Sequence, residues 1–307
     1  VSFIVLFSGI ILSKALAADP IKIGVLLPLT GRDAAIGQIQ KNAVLMAATE
    51  INRGGGIKDR KIELVLADTE GSADGGRAAI TKLIQQNKVV VVSGGVSSPA
   101  AWAASAIAQQ NKIPFVVTSA AADKITEQGW DYVFRLNQPI SEHLETLASF
   151  LSSKASDIKS VAIVHASSLR SSAAARRVFK RSAELGLEMV IRERIEAGAV
   201  SISQPLDRIK AKNPDLIYAI NDMAKNAALL MRQSKSRQLN PKLFVGEGNG
   251  FVQSEFAAQA GTASNYLVST VFWTPSVPHR GAGAFHKRFM DQHNIPPGAT
   301  GLKLMPG

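Results

Sequence analysis

Residues 21–56 read IKIGVLLPLTGRDAAIGQIQKNAVLMAATEINRGGG, and this stretch decides the fold. Ile21 to Leu29 is a β-rich apolar run of strand length. From about Ile36 to Ile51 the apolar Ile39, Ala43, Met46, Ala47 and Ile51 recur at helical spacing. Asn52-Arg53-Gly54-Gly55-Gly56 then stops the helix, because glycine accepts the positive φ that a C-cap requires. The same strand-then-helix unit returns with Lys61 to Asp68 and a helix from about Asp74 to Gln86, and again with Val89 to Ser93 and a helix from about Pro99 to Asn111. Pro114 to Ser119 supplies a fourth strand. Strands alternating with helices at this spacing predict right-handed βαβ crossovers and a parallel sheet.

A second series follows Tyr132 to Leu136 and the Gln138-Pro139 break. Its strands are Val161 to His165, Met189 to Ile195, Leu216 to Ile220 and Lys242 to Val245, with helices near 140–154, 171–185, 202–212 and 223–235. Two separate βα series predict an α/β protein of two Rossmann-like lobes, each with a parallel central sheet, joined by a hinge and parted by a cleft. Tyr266 to Trp273 is extended and ends at Pro275 and Pro278, so it reads as the return crossing. The expected division is lobe 1 over 19–138 and 272–307, and lobe 2 over 139–271.

Ahead of these units Phe3 to Leu12 forms an apolar run closed by the small-residue site Ala15-Leu16-Ala17. The run is shorter than the roughly 20 residues that span a bilayer. It reads as a signal peptide over 1–17, truncated at its start, with Ala18-Asp19-Pro20 opening the mature chain. A buried core helix is the alternative. Cysteine is absent, which excludes a disulfide framework, a thiolate metal site, a Cys nucleophile and a lipid-anchored cysteine. The mature protein is therefore expected to be soluble in a bacterial periplasm, and an open parallel sheet there points to capture of a small solute.

The formal net charge of +11 raises nucleic acid as a partner. The basic residues are scattered without interleaved aromatics, so no nucleic-acid partner is expected. Their densest cluster, Arg176, Arg177, Lys180 and Arg181, sits at helical spacing on one face, either solvated or a docking patch. Among His143, His165, His279, His286 and His293 no metal-ligand pair falls within one established helix, and no Gly-x-Ser-x-Gly elbow or Walker-type loop occurs. No enzyme, cofactor or metal is expected.

In open α/β sheets ligands bind beyond the carboxyl ends of the strands. Ser93-Gly94-Gly95-Val96-Ser97-Ser98-Pro99 occupies that place after the third strand. Its glycines allow close approach, its hydroxyls donate, and free N–H groups at the helix start favour an anion. Alternatively, Ser98 is the N-cap of a helix beginning at Pro99. In the second series Gly246-Glu247-Gly248-Asn249-Gly250 ends a strand. Glu247 suits a cationic group, or is a solvent-exposed loop acid.

Several motifs in order carry a family resemblance. Ile21-Lys22-Ile23-Gly24 with Pro28-Leu29-Thr30-Gly31, Gly37, Asn42-Ala43, and Glu50-Ile51-Asn52 with Gly54-Gly55-Gly56-Ile57 resemble the opening of periplasmic branched-chain amino-acid binding proteins. The likeness continues through Gly94 to Ser98, Ile113-Pro114, Ser119-Ala120, Ile125-Thr126, Arg135, Val161 to His165 and Gly246-Glu247-Gly248, nearly the whole mature chain. It implies a type I periplasmic binding fold and a monomeric receptor of an ABC importer, delivering an amino acid or related small carboxylate to a membrane permease. A ligand-sensing module that signals to a receptor partner is the alternative.

The resemblance also implies a site. Ser98, with Ser97 beside it, receives the ligand α-carboxylate; Glu247 receives the α-ammonium; Ser119 and Ala120 form a loop whose backbone meets the ligand. Three positions depart from the family pattern: Ala121 replaces a hydroxyl residue, Ile36 stands where the first lobe offers Trp, and Arg170 where the second offers Tyr. One lost neutral hydroxyl costs about 1 kcal/mol, against about −8 kcal/mol for micromolar binding. Arg170 implies a specificity shifted toward an acidic or amide-bearing amino acid or another small carboxylate. The resembled proteins extend further than Leu302 to Gly307, so the C-terminal part is expected to be incomplete.

Overall fold

The computed structural model describes residues 19–295 apart from 32, 155, 156, 197, 266, 272, 274 and 276. The expected signal peptide, Tyr266, and the tail from Pro296 to Gly307 lie outside the described residues. The chain divides into two compact units between Asn137 and Gln138. The described residues after 271 group with the second unit.

The first unit runs β1 (Ile21–Leu27), α1 (Ala34–Arg53), β2 (Ile62–Asp68), α2 (Ala73–Gln85), β3 (Val91–Gly94), α3 (Ser98–Gln110), β4 (Phe115–Val117), a 3-10 turn at Asp123–Ile125, and β5 (Val133–Arg135). Its sheet has the order β2-β1-β3-β4-β5, with every pairing parallel. The second unit runs α4 (Ile140–Lys154), β6 (Ser160–Ala166), α5 (Leu169–Glu184), β7 (Glu188–Ile195), α6 (Ser203–Ala211), β8 (Leu216–Ile220), α7 (Ala224–Ser236), β9 (Leu243–Glu247), α8 (Ser254–Ala260), β10 (Leu267–Ser269) and α9 (Ala282–Gln292). Its parallel sheet has the order β10-β9-β8-β6-β7.

Both sheets follow one plan: the second strand of each series lies outside the first, and the third lies on the first strand's other side. The order reverses between β1 and β3 in one sheet and between β6 and β8 in the other. At such a switch point the flanking helices leave on opposite faces and open a crevice beyond the strand ends. One expectation changes here. Leu267–Ser269, read as part of a return crossing, pairs in parallel with β9 and forms the edge of the second sheet.

The strands read as continuous apolar runs because both faces are covered. All five residues of β8 are buried. Ala162, Val164, Ile217 and Ala219 pack on one side with Leu206 and Ile209 of α6. Val161, Ile163, Leu216, Tyr218 and Ile220 pack on the other with Leu147 and Leu151 of α4 and Val178 of α5. The alternation is the period of 2 that a pleated strand imposes. The first unit's core gathers Leu26, Ile80, Leu83, Val92, Phe115 and Val117. On α1 the helical spacing holds, but of its apolar positions Met46 is buried while Ile39 and Ile51 are exposed.

Candidate functional site

In the first unit the candidate residues follow β1, β3 and β4, on the loops there and in the first turns of α1 and α3. β3 ends on Gly94 at φ +107, where a Cβ would stand 2.3 Å from the Leu26 carbonyl oxygen. Only glycine lets β3 finish so close to β1. The loop after β1 is held by Asp68 at the end of β2. Its Oδ1 accepts the Leu29 N–H at 2.8 Å and its Oδ2 the Thr30 hydroxyl at 2.6 Å. Burial raises the Asp68 carboxyl, but the Thr30 hydroxyl and the Glu70, Leu29 and Thr30 N–H groups outweigh it and hold the group below the usual carboxylate range.

The alternative reading of Ser98 as an N-cap does not hold. Helix α3 begins at Ser98 itself, and the residue in cap position is Ser97, at φ −76 and ψ 125. Neither hydroxyl caps: the Ser97 hydroxyl donates to the Gly71 carbonyl at 2.6 Å, and Ser98 Oγ accepts the Ala122 N–H at 3.3 Å. Pro99 in the first turn has no N–H to satisfy, and the Ser97 side chain in cap position accepts from none of the other first-turn amides. The helix start therefore keeps N–H capacity for an anion.

Ser119, part-buried after β4, accepts a hydrogen bond at 2.6 Å from Gln40 Nε2 on α1. Ser98 and Ser119 thus each accept an N–H on Oγ, which leaves each hydroxyl proton to donate elsewhere. The loop itself is pinned. Asn137 Nδ2 reaches the Ser119 and Ala120 carbonyls at 3.2 Å each, and Arg135 donates to the Ala122 carbonyl at 3.0 Å. Ala120 is buried, donating its N–H to the Gly95 carbonyl at 2.8 Å. Ala121 is part-buried and brings no hydroxyl. Ile36, also part-buried, stands one turn before Gln40 and so shares its helix face.

In the second unit Glu247 is the last residue of β9 and is 5% exposed, which removes the reading as a solvent-exposed loop acid. Register explains its company. Glu247 pairs with Ile220, so it points to the same face as Tyr218, two residues back. The Tyr218 hydroxyl donates to Glu247 Oε2 at 2.8 Å. Glu247 Oε1 is buried with no hydrogen-bond partner among the described residues. Burial first, and Asp222 second, raise the Glu247 carboxyl above its ordinary value, against the Tyr218 hydrogen bond and the charges of Arg170 and Arg177. Burial beside Glu247 pushes Tyr218 well above its own ordinary value.

Arg170 is the second residue of α5 and pairs through Nη1 with Asp222 Oδ1, on the loop after β8. The Ser171 hydroxyl is 3.4 Å from the other Asp222 oxygen. Asp222 also lies against the strand end that carries Glu247, since a Cβ on Gly248 would sit 2.8 Å from Asp222 Oδ1 and 2.5 Å from the Asn221 carbonyl. Farther along α5, Arg176, Arg177 and Lys180 are exposed, while Arg181 pairs with Glu145 at 2.5 Å and Glu184 at 3.0 Å. Among the described residues no group of His, Cys, Asp and Glu clusters to hold a metal ion, and no helix is long and apolar enough to cross a membrane.

Sequence reading missed Gln40, Tyr218, Asn137 and Asp222. Asp222, directly after an apolar strand, carried the one readable signal, since the carboxyl edge of a parallel sheet is where ligand groups gather.

Two sheets of one plan, one ending in hydroxyl and amide donors and the other in a buried carboxylate, define an α/β solute-binding protein. The chain matches the family model described as periplasmic binding protein over residues 20–301, and it belongs to that family. It is 27% identical over 259 residues to a leucine-, isoleucine-, valine-, threonine- and alanine-binding protein of Pseudomonas aeruginosa, covering 84% of this chain and 68% of that one. To the Leu/Ile/Val-binding protein BraC3 of Rhizobium johnstonii it is 31% identical over 234 residues, covering 76% of this chain but 63% of the relative. The branched-chain amino-acid transporter substrate-binding protein LivJ of Streptococcus pneumoniae, solved with isoleucine, superposes with a TM-score of 0.76 at 27% identity, over 91% of this chain and 78% of that one. An R. palustris solute-binding protein of an ABC transporter, solved with benzoate, gives a TM-score of 0.72 at 25% identity, over 92% and 76%.

Proposed function

We propose that the protein is the solute receptor of an ABC importer, capturing an amino acid in the periplasm as a soluble, unanchored monomer and delivering it to a membrane permease. The observation that carries this reading is Glu247, a buried carboxylate with one oxygen unanswered. Leaving such a group unpaired is costly, and an ammonium supplies both the missing donor and the opposite charge. The carboxylate end goes to the first unit, where the α3 start and the Ser98 and Ser119 hydroxyls donate and the Ala120-Ala121 backbone lines the approach. Ile36 and Arg170 complete the proposed set around the ligand side chain. A ligand that engages both ends favours whichever arrangement of the two units satisfies both. The assignment of 272–307 to the first lobe belongs to the same proposal.

The relative solved with benzoate favours a second reading, an aromatic acid. Benzoate offers a carboxylate but no ammonium, so Glu247 would have to bind it protonated. A thermal-shift screen against amino acids, benzoate and 4-hydroxybenzoate separates the two. Ligand at about 100 times its dissociation constant adds roughly 2.7 kcal/mol of stability. A rise with aliphatic or amide-bearing amino acids alone supports the amino-acid receptor, a rise with the benzoates alone replaces it, and no rise with any of them points to a different ligand class or a protein-sensing role.

A further inference from the structure

The charged groups at the carboxyl edge of the second sheet do not act singly. Arg170, in the first turn of α5, and Asp222, on the loop after β8, follow the two strands that flank the switch point between β6 and β8, and they pair directly. Their side chains are 47% and 29% exposed, so the pair itself adds little to stability. Asp222 lies against Gly248, the residue that follows Glu247, and both partners act electrostatically on the buried Glu247 carboxylate.

The sum of charge is informative. Arg170 and Asp222 cancel each other as a pair, and the Glu247 carboxylate, on which the exposed Arg177 also acts, is left to answer one ligand ammonium. The remainder of the ligand then meets a balanced wall. A charge left over at such a wall repels a like charge and attracts an opposite one.

On the reading that the ligand is an amino acid, we propose that the Arg170–Asp222 pair is a specificity element that selects an uncharged side chain. Arg170 is the counter-ion that masks Asp222; it does not itself receive a second carboxylate. Breaking the pair from either side swings the preference in opposite directions. Without Arg170 the edge carries a surplus negative charge and recruits a second ammonium. Without the Asp222 charge, Arg170 is released to take a second carboxylate.

Isothermal titration of the wild type, Arg170→Ala, Asp222→Asn and the double variant with L-leucine, L-lysine and L-glutamate tests this. The wild type binds leucine most tightly. Arg170→Ala raises the lysine-to-leucine affinity ratio at least about tenfold, and Asp222→Asn raises the glutamate-to-leucine ratio by a similar factor. The double variant returns both ratios to near the wild-type values. Should Arg170→Ala melt below the assay temperature, Arg170→Gln, closer in size, replaces it. Unchanged ratios in both single variants overturn the proposal, and so does a wild type that prefers glutamate and loses that preference with Arg170. A wild type that binds none of the three fails at the amino-acid reading instead, which is a different result.

Discussion

Glu247 combines two costs that a folded protein usually avoids, a buried carboxylate and an unpartnered oxygen. Its proton affinity is raised above that of the unfolded chain, so its contribution to stability is complete below the unfolded value, near 4.3, and is lost as pH rises through the raised folded value. Glu247→Gln removes that loss. We expect the variant to melt higher than the wild type at neutral pH, by about 1 kcal/mol, with the difference closing toward pH 4. Amino-acid affinity should fall by roughly 2–5 kcal/mol. In the wild type, affinity should rise with pH over the range in which Glu247 ionises; a flat titration profile from pH 4 to 8 would refute its role as the ammonium partner. Gln40 makes a second test at this scale. Its amide donates to Ser119 Oγ and leaves the hydroxyl proton free. Gln40→Ala should weaken binding about fivefold, one neutral hydrogen bond. Gln40→Glu should weaken it more, because a carboxylate at 40 takes the Ser119 proton for itself; equal affinities for the two variants, by titration calorimetry, would leave Gln40 a structural residue.

At the scale of elements, side chains at strand ends position the loops. Asp68 closes β2 and ties down the turn that follows β1. Its folded proton affinity is depressed, so the stability it contributes is present above the unfolded value of about 3.9 and is lost as pH falls through the folded value. Asp68→Ala should cost about 1–3 kcal/mol at pH 7, and its melting temperature should fall less than that of the wild type between pH 5 and 2. A parallel fall in both proteins would remove Asp68 from the account. Strands and helices themselves were largely legible: β8 is an unbroken apolar run, and Gly54 to Gly56 follow the end of α1. Helix α3 starts at Ser98, one residue before the approximate start expected at Pro99, and Ser97-Ser98-Pro99 offers two equivalent serines for the cap. The choice between them was made by Gly71 and Ala122, far along the chain.

For the whole molecule, each unit carries its own core, one in the first and one on each face of the sheet in the second. Stability should therefore be divided between two cooperative blocks. Ile163→Ala, at a fully buried position in β6, should cost about 2–5 kcal/mol and speed hydrogen exchange in β6 and β8 while leaving β3 and β4 unchanged. Equal acceleration in both units would show a single block. The sequence alone determined the two βα series, the parallel sheets and the presence of Ser98, Ser119 and Glu247 near strand ends, because apolar period, glycine stops and strand length are local properties. Only the tertiary structure decided that Gln40 orients Ser119, that Tyr218 holds one oxygen of Glu247 and leaves the other bare, and that Arg170 spends its charge on Asp222. Those partners are 79, 29 and 52 residues apart. No local pattern encodes such pairs; sheet order and register bring them together.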